Sequence, residues 1–159
     1  MENNSICFKS SVGYISVEAN STHVLGIRFA NAPQKNGEST VLLDLVQEQF
    51  SAYFNGGLTA FDLPLEIRGT DFQRKVWQHL MTIPFGKTCS YLDLALELGD
   101  PKAIRAVAAA NAKNKHLIVI PCHRVIAKNG QMQGYAGGIA KKEQLLLHEK
   151  GLSQASLFG

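Results

Sequence analysis

Cysteine is scarce and badly spaced for structural work. The chain of 159 residues has three, at positions 7, 89 and 122. An odd number without regular spacing excludes a disulfide framework. There is no C-x-x-C pair, and Cys7 with His23 makes at most half a zinc site, so no metal is expected. No apolar run approaches the roughly 18 residues that span a bilayer. The opening Met1-Glu2-Asn3-Asn4-Ser5 is polar and lacks the apolar stretch of a secretory signal. The phosphate-cradling patterns G-x-x-x-x-G-K-S/T and G-x-G-x-x-G are missing, so no cofactor is implied. These absences point to a reduced, cytoplasmic setting and no membrane partner; a monomer is expected.

Charge is modest overall, at +3, but unevenly distributed. Through Gly69 there are four Lys/Arg against seven Asp/Glu, a net of −3; from Thr70 onward twelve stand against six, a net of +6. A basic second half fits a polyanionic partner, or simply a solvated lysine-rich face.

With 45% hydrophobic residues there is enough apolar material for one sizeable domain or two small ones. The first half, 1–68, alternates like strands at 6–8, 12–17 and 24–29, with a turn at Asn20-Ser21. Ser39 is placed to cap a helix over about 40–55, ended by Gly56-Gly57. Nothing in this half forms a chemical constellation, so its expected role is support. The second half, 69–152, opens with a helix capped by Thr70 or Asp71. Ser90-Tyr91-Leu92-Asp93 reads as a capping box for the next helix. Gly99 stops that helix, and Asp100-Pro101 starts another, running to about Asn111 or Ala112. Helix, glycine break, helix is the punctuation of a helix-turn-helix. The second helix is rich in alanine, including Ala106 and Ala109, with Arg105 among them. Such a face lets backbone approach a narrow groove closely. A last helix is expected from Ile139 to Lys150, and 153–159 reads as a loose tail.

The most telling stretch is Ile120-Pro121-Cys122-His123-Arg124-Val125. Leu117 to Ile120 is short and β-branched, so it reads as a buried strand that Pro121 ends. A thiol next to an imidazole and a guanidinium is a setting that favours thiolate, the attacking form of cysteine. His123 is the candidate base, reaching the sulfur through a bend or a bridging water, and Glu149 or Glu143 could orient it. Gln133-Gly134-Tyr135-Ala136-Gly137-Gly138 is a glycine-rich loop that could wall a planar ligand.

Pro121-Cys122-His123-Arg124-Val125 resembles the signature of the O6-alkylguanine-DNA alkyltransferases. The likeness runs through Gly69-Thr70-x-Phe72-Gln73, Val76-Trp77, Ile83-Pro84-x-Gly86-x-Thr88-x-Ser90-Tyr91 and Pro101-Lys102-Ala103-x-Arg105-Ala106-Val107. It continues at Asn114, Gly134-Tyr135-x-Gly137-Gly138 and His148-Glu149. The resemblance implies an α/β fold: a small ribonuclease H-like N-terminal sheet plus helix, then a mainly helical winged helix-turn-helix domain. It implies a partner, double-stranded DNA carrying alkylated bases, entered by the minor groove. Cys122 would take the alkyl group once and keep it. His123, Glu149, Asn114 and Tyr91 would serve the transfer. Arg105, Ala106, Ala109, Tyr91 and Arg124 would meet the DNA. Tyr135, Ala136, Gly137, Val125 and Leu117 would line the base pocket. Ala136 stands where family members often carry Ser, and the pattern is nearer the bacterial Ogt-type branch, which also accepts O4-alkylthymine. A turning-over thiol hydrolase, a non-catalytic lesion binder and a transcription regulator are the rival readings.

Overall fold

A computed structural model describes the backbone of residues 3–130 and 134–158, with side chains through 152. The chain divides into two compact units, Met1–Ile67 with Lys115–Val119, and Arg68–Asn114 with Ile120–Gly159. The expected second domain is therefore interrupted: residues 115–119 belong with the first unit.

The first unit is an antiparallel meander of β1 (Asn4–Ser10), β2 (Gly13–Ala19) and β3 (Val24–Ala30). The turn at Asn20 forms because its side-chain oxygen accepts from the backbone N–H of Thr22 and of His23. Helix α1 (Val41–Phe54) buries Leu43, Val46, Phe50 and Tyr53, one stripe at helical spacing. Its cap is Thr40, which accepts from Leu43 N–H, and not Ser39. Two segments then run parallel along the outer edge of β3. One pairs Leu65 with Val24, the other His116 with Ile27. The second is held by Ile27 N–H to Lys115 O at 2.8 Å and Leu117 N–H to Ile27 O at 3.2 Å.

The expected strand over Leu117–Ile120 does not form. All four residues are buried, but Ile118 has φ +73°, a strained conformation for a β-branched residue. An apolar run reports burial; it does not by itself report extended backbone.

In the second unit α2 (Asp71–Leu80) is capped by Thr70 in a reciprocal capping box with Gln73. Gly69 is required there, because a Cβ would stand 2.7 Å from the Trp77 ring. A two-residue strand β4 (Cys89–Ser90) leads into α3 (Tyr91–Glu97), whose Ser90–Asp93 capping box forms as expected. Leu94 and Ala95 are buried on this helix, while Leu96 is exposed. Gly99, at φ +90°, turns the chain, and Asp100 caps a 3-10 turn over Pro101–Ala103 that becomes α4 (Ile104–Ala112). A second 3-10 turn, Cys122–Arg124, precedes β5 (Val125–Ile126), which pairs in parallel with β4. Helix α5 runs Ile139–Phe158, so the backbone of 153–158 is helical and not a loose tail. Among the described residues no helix is long and apolar enough to cross a membrane.

Candidate active site

Cys122 is the first residue of its 3-10 turn, directly after Pro121. The residue is 2% exposed. Asn114, buried just past the end of α4, donates from Nδ2 to the sulfur at 3.1 Å and to Ile120 O at 2.8 Å. One amide thus ties the nucleophile to the turn that carries it.

His123 is wholly buried, and its Nε2 lies 2.8 Å from Glu149 Oε2. Glu149 is equally buried, on α5. A carboxylate there holds the imidazole proton on Nε2. Nδ1 is then a lone pair, buried with no hydrogen-bond partner among the described residues. Burial pushes the imidazole below its ordinary range, outweighing the hydrogen bond and charge of Glu149. The resting histidine is neutral and able to accept a proton. Burial also opposes the charge on Glu149, but the hydrogen bonds of His123 and Arg124 hold its carboxyl well below the usual carboxylate range. Glu143, the other candidate for the orienting acid, is exposed.

Arg124 is buried, with its guanidinium held inside the second unit. It is 6% exposed, donates Nε to Glu149 Oε1 at 2.8 Å and Nη2 to Oε2 at 3.1 Å, and caps Ile83 O through Nη1 at 2.7 Å. A carboxylate and a carbonyl engage three of its five N–H donors, so Arg124 is an internal strut and not the exposed donor that the expected DNA contact needs.

The thiolate expectation also changes. Burial pushes the Cys122 thiol up to about 11, with the Asn114 hydrogen bond and the charge of Lys142 pulling the other way. The resting sulfur is a thiol, and a base must take its proton when it attacks. Lys142 was not foreseen. It is completely buried on α5, donates Nζ to Val125 O at 2.6 Å, and lies 5.9 Å from the centre of the Tyr91 ring. The signal was present: Lys142, Leu145 and Glu149 form the fully buried stripe of α5, and a lysine on an apolar stripe needs a reason.

Tyr91 is 8% exposed at the start of α3. Burial and the neighbouring Cys122 raise its phenol above the ordinary value. Tyr135 is also buried, and burial with the nearness of Cys122 raises it well above normal. The charge of the nucleophile thus acts on both phenols. Ala136 is exposed and Gly137 half-buried beside it, in a turn closed by Gly138 N–H to Tyr135 O at 2.9 Å. Val125 is buried on β5, whereas Leu117 lies in the first unit. Gln133, at the head of the glycine-rich loop, lies outside the described residues. Arg105, Ala106 and Ala109 are exposed along one side of α4, while Val107, Ala110 and Asn111 are buried on the other. Among the described residues no three His, Cys, Asp or Glu side chains gather to hold a metal.

Residues 71–151 match the model of the 6-O-methylguanine DNA methyltransferase DNA-binding domain, and residues 6–67 match that family's ribonuclease-like domain. The chain belongs to the 6-O-methylguanine DNA methyltransferase family. A methylated-DNA–protein-cysteine methyltransferase of Mycolicibacterium paratuberculosis is 52% identical over 110 residues, covering 69% of this chain and 67% of that one. The crystal structure of Mycobacterium tuberculosis O6-methylguanine methyltransferase superimposes with TM-score 0.86 at 36% identity, covering 99% of this chain and all of the other. A structure of the Mycobacterium tuberculosis OGT in complex with DNA superimposes with TM-score 0.85 at 37% identity, covering 98% and 99%. These neighbours put the chain on the Ogt-type branch of the family, among DNA-repair enzymes that move an alkyl group from DNA onto a protein cysteine.

Proposed function

We propose that this alkyltransferase reverses O6-alkylguanine, and O4-alkylthymine as a second lesion, by direct transfer to Cys122. The observation that carries the reading is the chain of contacts Asn114–Cys122 and His123–Glu149 on the inner side of a helix whose outer side offers Arg105, Ala106 and Ala109.

The alanines let α4 lie close to the minor groove, and the basic second half supplies attraction to phosphate. The damaged base leaves the stack, which costs a few kcal/mol and less for a weakened pair. Arg105 fills the vacancy. The extruded base meets the loop of Tyr135, Ala136 and Gly137. His123 Nδ1 takes the Cys122 proton through a bridging water; the carbon–sulfur bond forms as the carbon–oxygen bond breaks. The base departs neutral when Tyr91 passes its phenol proton to the ring. Water does not cleave the thioether, so each molecule acts once. Of the two expected roles of Tyr91, its burial favours proton transfer over contact with a phosphate. A chemistry that needs one free thiol places the protein in a reducing compartment, the cytoplasm.

Mixing the protein with duplex DNA holding one O6-methylguanine should add a single methyl mass, confined to the peptide with Cys122, with product stopping at one equivalent. Cys122→Ser should still bind that DNA and gain no mass. Continued turnover would favour the hydrolase reading, and a methyl on another peptide would move the nucleophile.

A further inference from the structure

The buried side of α4 is apolar except at Asn111, which is 2% exposed. The Asn111 Nδ2 lies 3.4 Å from the carbonyl oxygen of Cys122. A carbonyl only accepts, so it faces the NH2 end of the amide and leaves Oδ1 turned away from that peptide. Oδ1 is buried with no hydrogen-bond partner among the described residues. A half-used buried carboxamide is destabilising, and a leucine of similar shape would pack there without that penalty. The amide calls for a role besides packing.

Other acceptors of the reactive turn and its supports already serve. Cys122 O takes the Val125 N–H as well as Asn111. Ile120 O takes Asn114 Nδ2 at 2.8 Å, and Val125 O takes Lys142 Nζ at 2.6 Å. Both oxygens of Glu149 receive donors from Arg124, and one also meets His123. The His123 Nδ1 lone pair is assigned to the thiol proton. Asn111 Oδ1 is a neutral acceptor that the transfer itself leaves unused. It is hidden no more deeply than the nucleophile, for Cys122 is also 2% exposed. An opening that lets a base reach the sulfur brings it to the amide that touches the sulfur's own residue.

We propose that Asn111 is a specificity-determining residue, its Oδ1 accepting a hydrogen bond from the exocyclic amine of an extruded O6-alkylguanine. The inference rests on the reading of Cys122 as acceptor of an alkyl group from a base drawn out of the duplex. The two lesions differ in what they can donate. Alkylation at O6 removes the hydrogen of ring N1, so the 2-amino group is the N–H donor left on the purine. O4-alkylthymine has lost its N3 hydrogen and has no N–H at all. The purine satisfies the buried oxygen, and the pyrimidine leaves it unpaired. Asn111 thus ranks guanine lesions above thymine lesions, while Cys122 does the same chemistry on either.

The test measures second-order rates of single-turnover methyl transfer from duplexes that differ only in the lesion. The lesions are O6-methylguanine, O6-methylhypoxanthine (the same purine without the 2-amino group) and O4-methylthymine. The parent should react with O6-methylguanine about tenfold faster than with O6-methylhypoxanthine, the scale of one hydrogen bond. Asn111→Leu should slow the guanine substrate alone, bringing that ratio near one and keeping the rates on the other two lesions. General damage to the site slows all three alike and leaves the ratio standing. An unchanged ratio in Asn111→Leu, or a parent indifferent to the amine, would overturn the inference and leave transfer to Cys122 intact. Should Asn111→Leu fold poorly, Asn111→Ser, whose hydroxyl is too short to reach the amine, is read by the same ratio. A parent that takes no methyl onto Cys122 from O6-methylguanine would overturn the reading of the reaction and this inference with it.

Discussion

Asn114 donates a hydrogen bond to the sulfur at 3.1 Å and opposes the burial that raises the thiol. Replacing it by Ala removes the donor that favours thiolate. The Cys122 titration should then move further up in pH, and transfer at neutral pH should fall about tenfold, since a lost hydrogen bond to a charging atom is worth about one pKa unit. The pH profile of methyl transfer checks the direction: the rising limb should shift to higher pH. The His123–Glu149 contact was legible, as one of two candidate pairings, because the last helix carries the acids nearest in kind to what an imidazole needs. Lys142 and Asn111 were not, because each hides in a stretch that reads as ordinary helix. Arg124 was misread for a related reason. Sequence shows a charge but not whether a buried carboxylate already holds it.

Element boundaries with side-chain chemistry at their ends were the most readable. Thr70, one of the two expected candidates, caps α2, and the Ser90–Asp93 capping box forms. Leu117–Ile120 misled because burial and strand share one composition. Helix α4 carries the element-scale prediction. Its outer side holds Arg105 exposed between alanines, and its inner side is apolar except at Asn111. Arg105→Ala should therefore leave the fold intact, as exposed substitutions usually do. It should slow repair in duplex DNA about tenfold, and leave single-stranded repair nearly unchanged, because only a duplex leaves a vacancy to fill. Single-turnover rates on the two substrates measure this. Equal losses on both would remove the plug role.

At the scale of the molecule, the buried Glu149–His123–Arg124 cluster couples stability to pH. Both His123 and Glu149 have folded-state values below their ordinary 6.5 and 4.5. The unfolded chain thus binds more protons than the folded one as pH drops through that range. Their contribution is full above about 6.5 and is lost as acidity rises. Urea midpoints should fall steadily from pH 7 toward 4. Glu149→Gln should cost about 3–5 kcal/mol at neutral pH, because Arg124 is left buried without its counter-charge. Its acid limb should also be shallower than that of the parent, and a parallel limb would place the titration elsewhere.

Asn114 and Cys122 bracket the same short loop, and the loop's middle is stitched to Ile27 on the rim of the first sheet. The peptide that carries the sulfur thus makes a detour through the first unit between its supporting amide and its thiol.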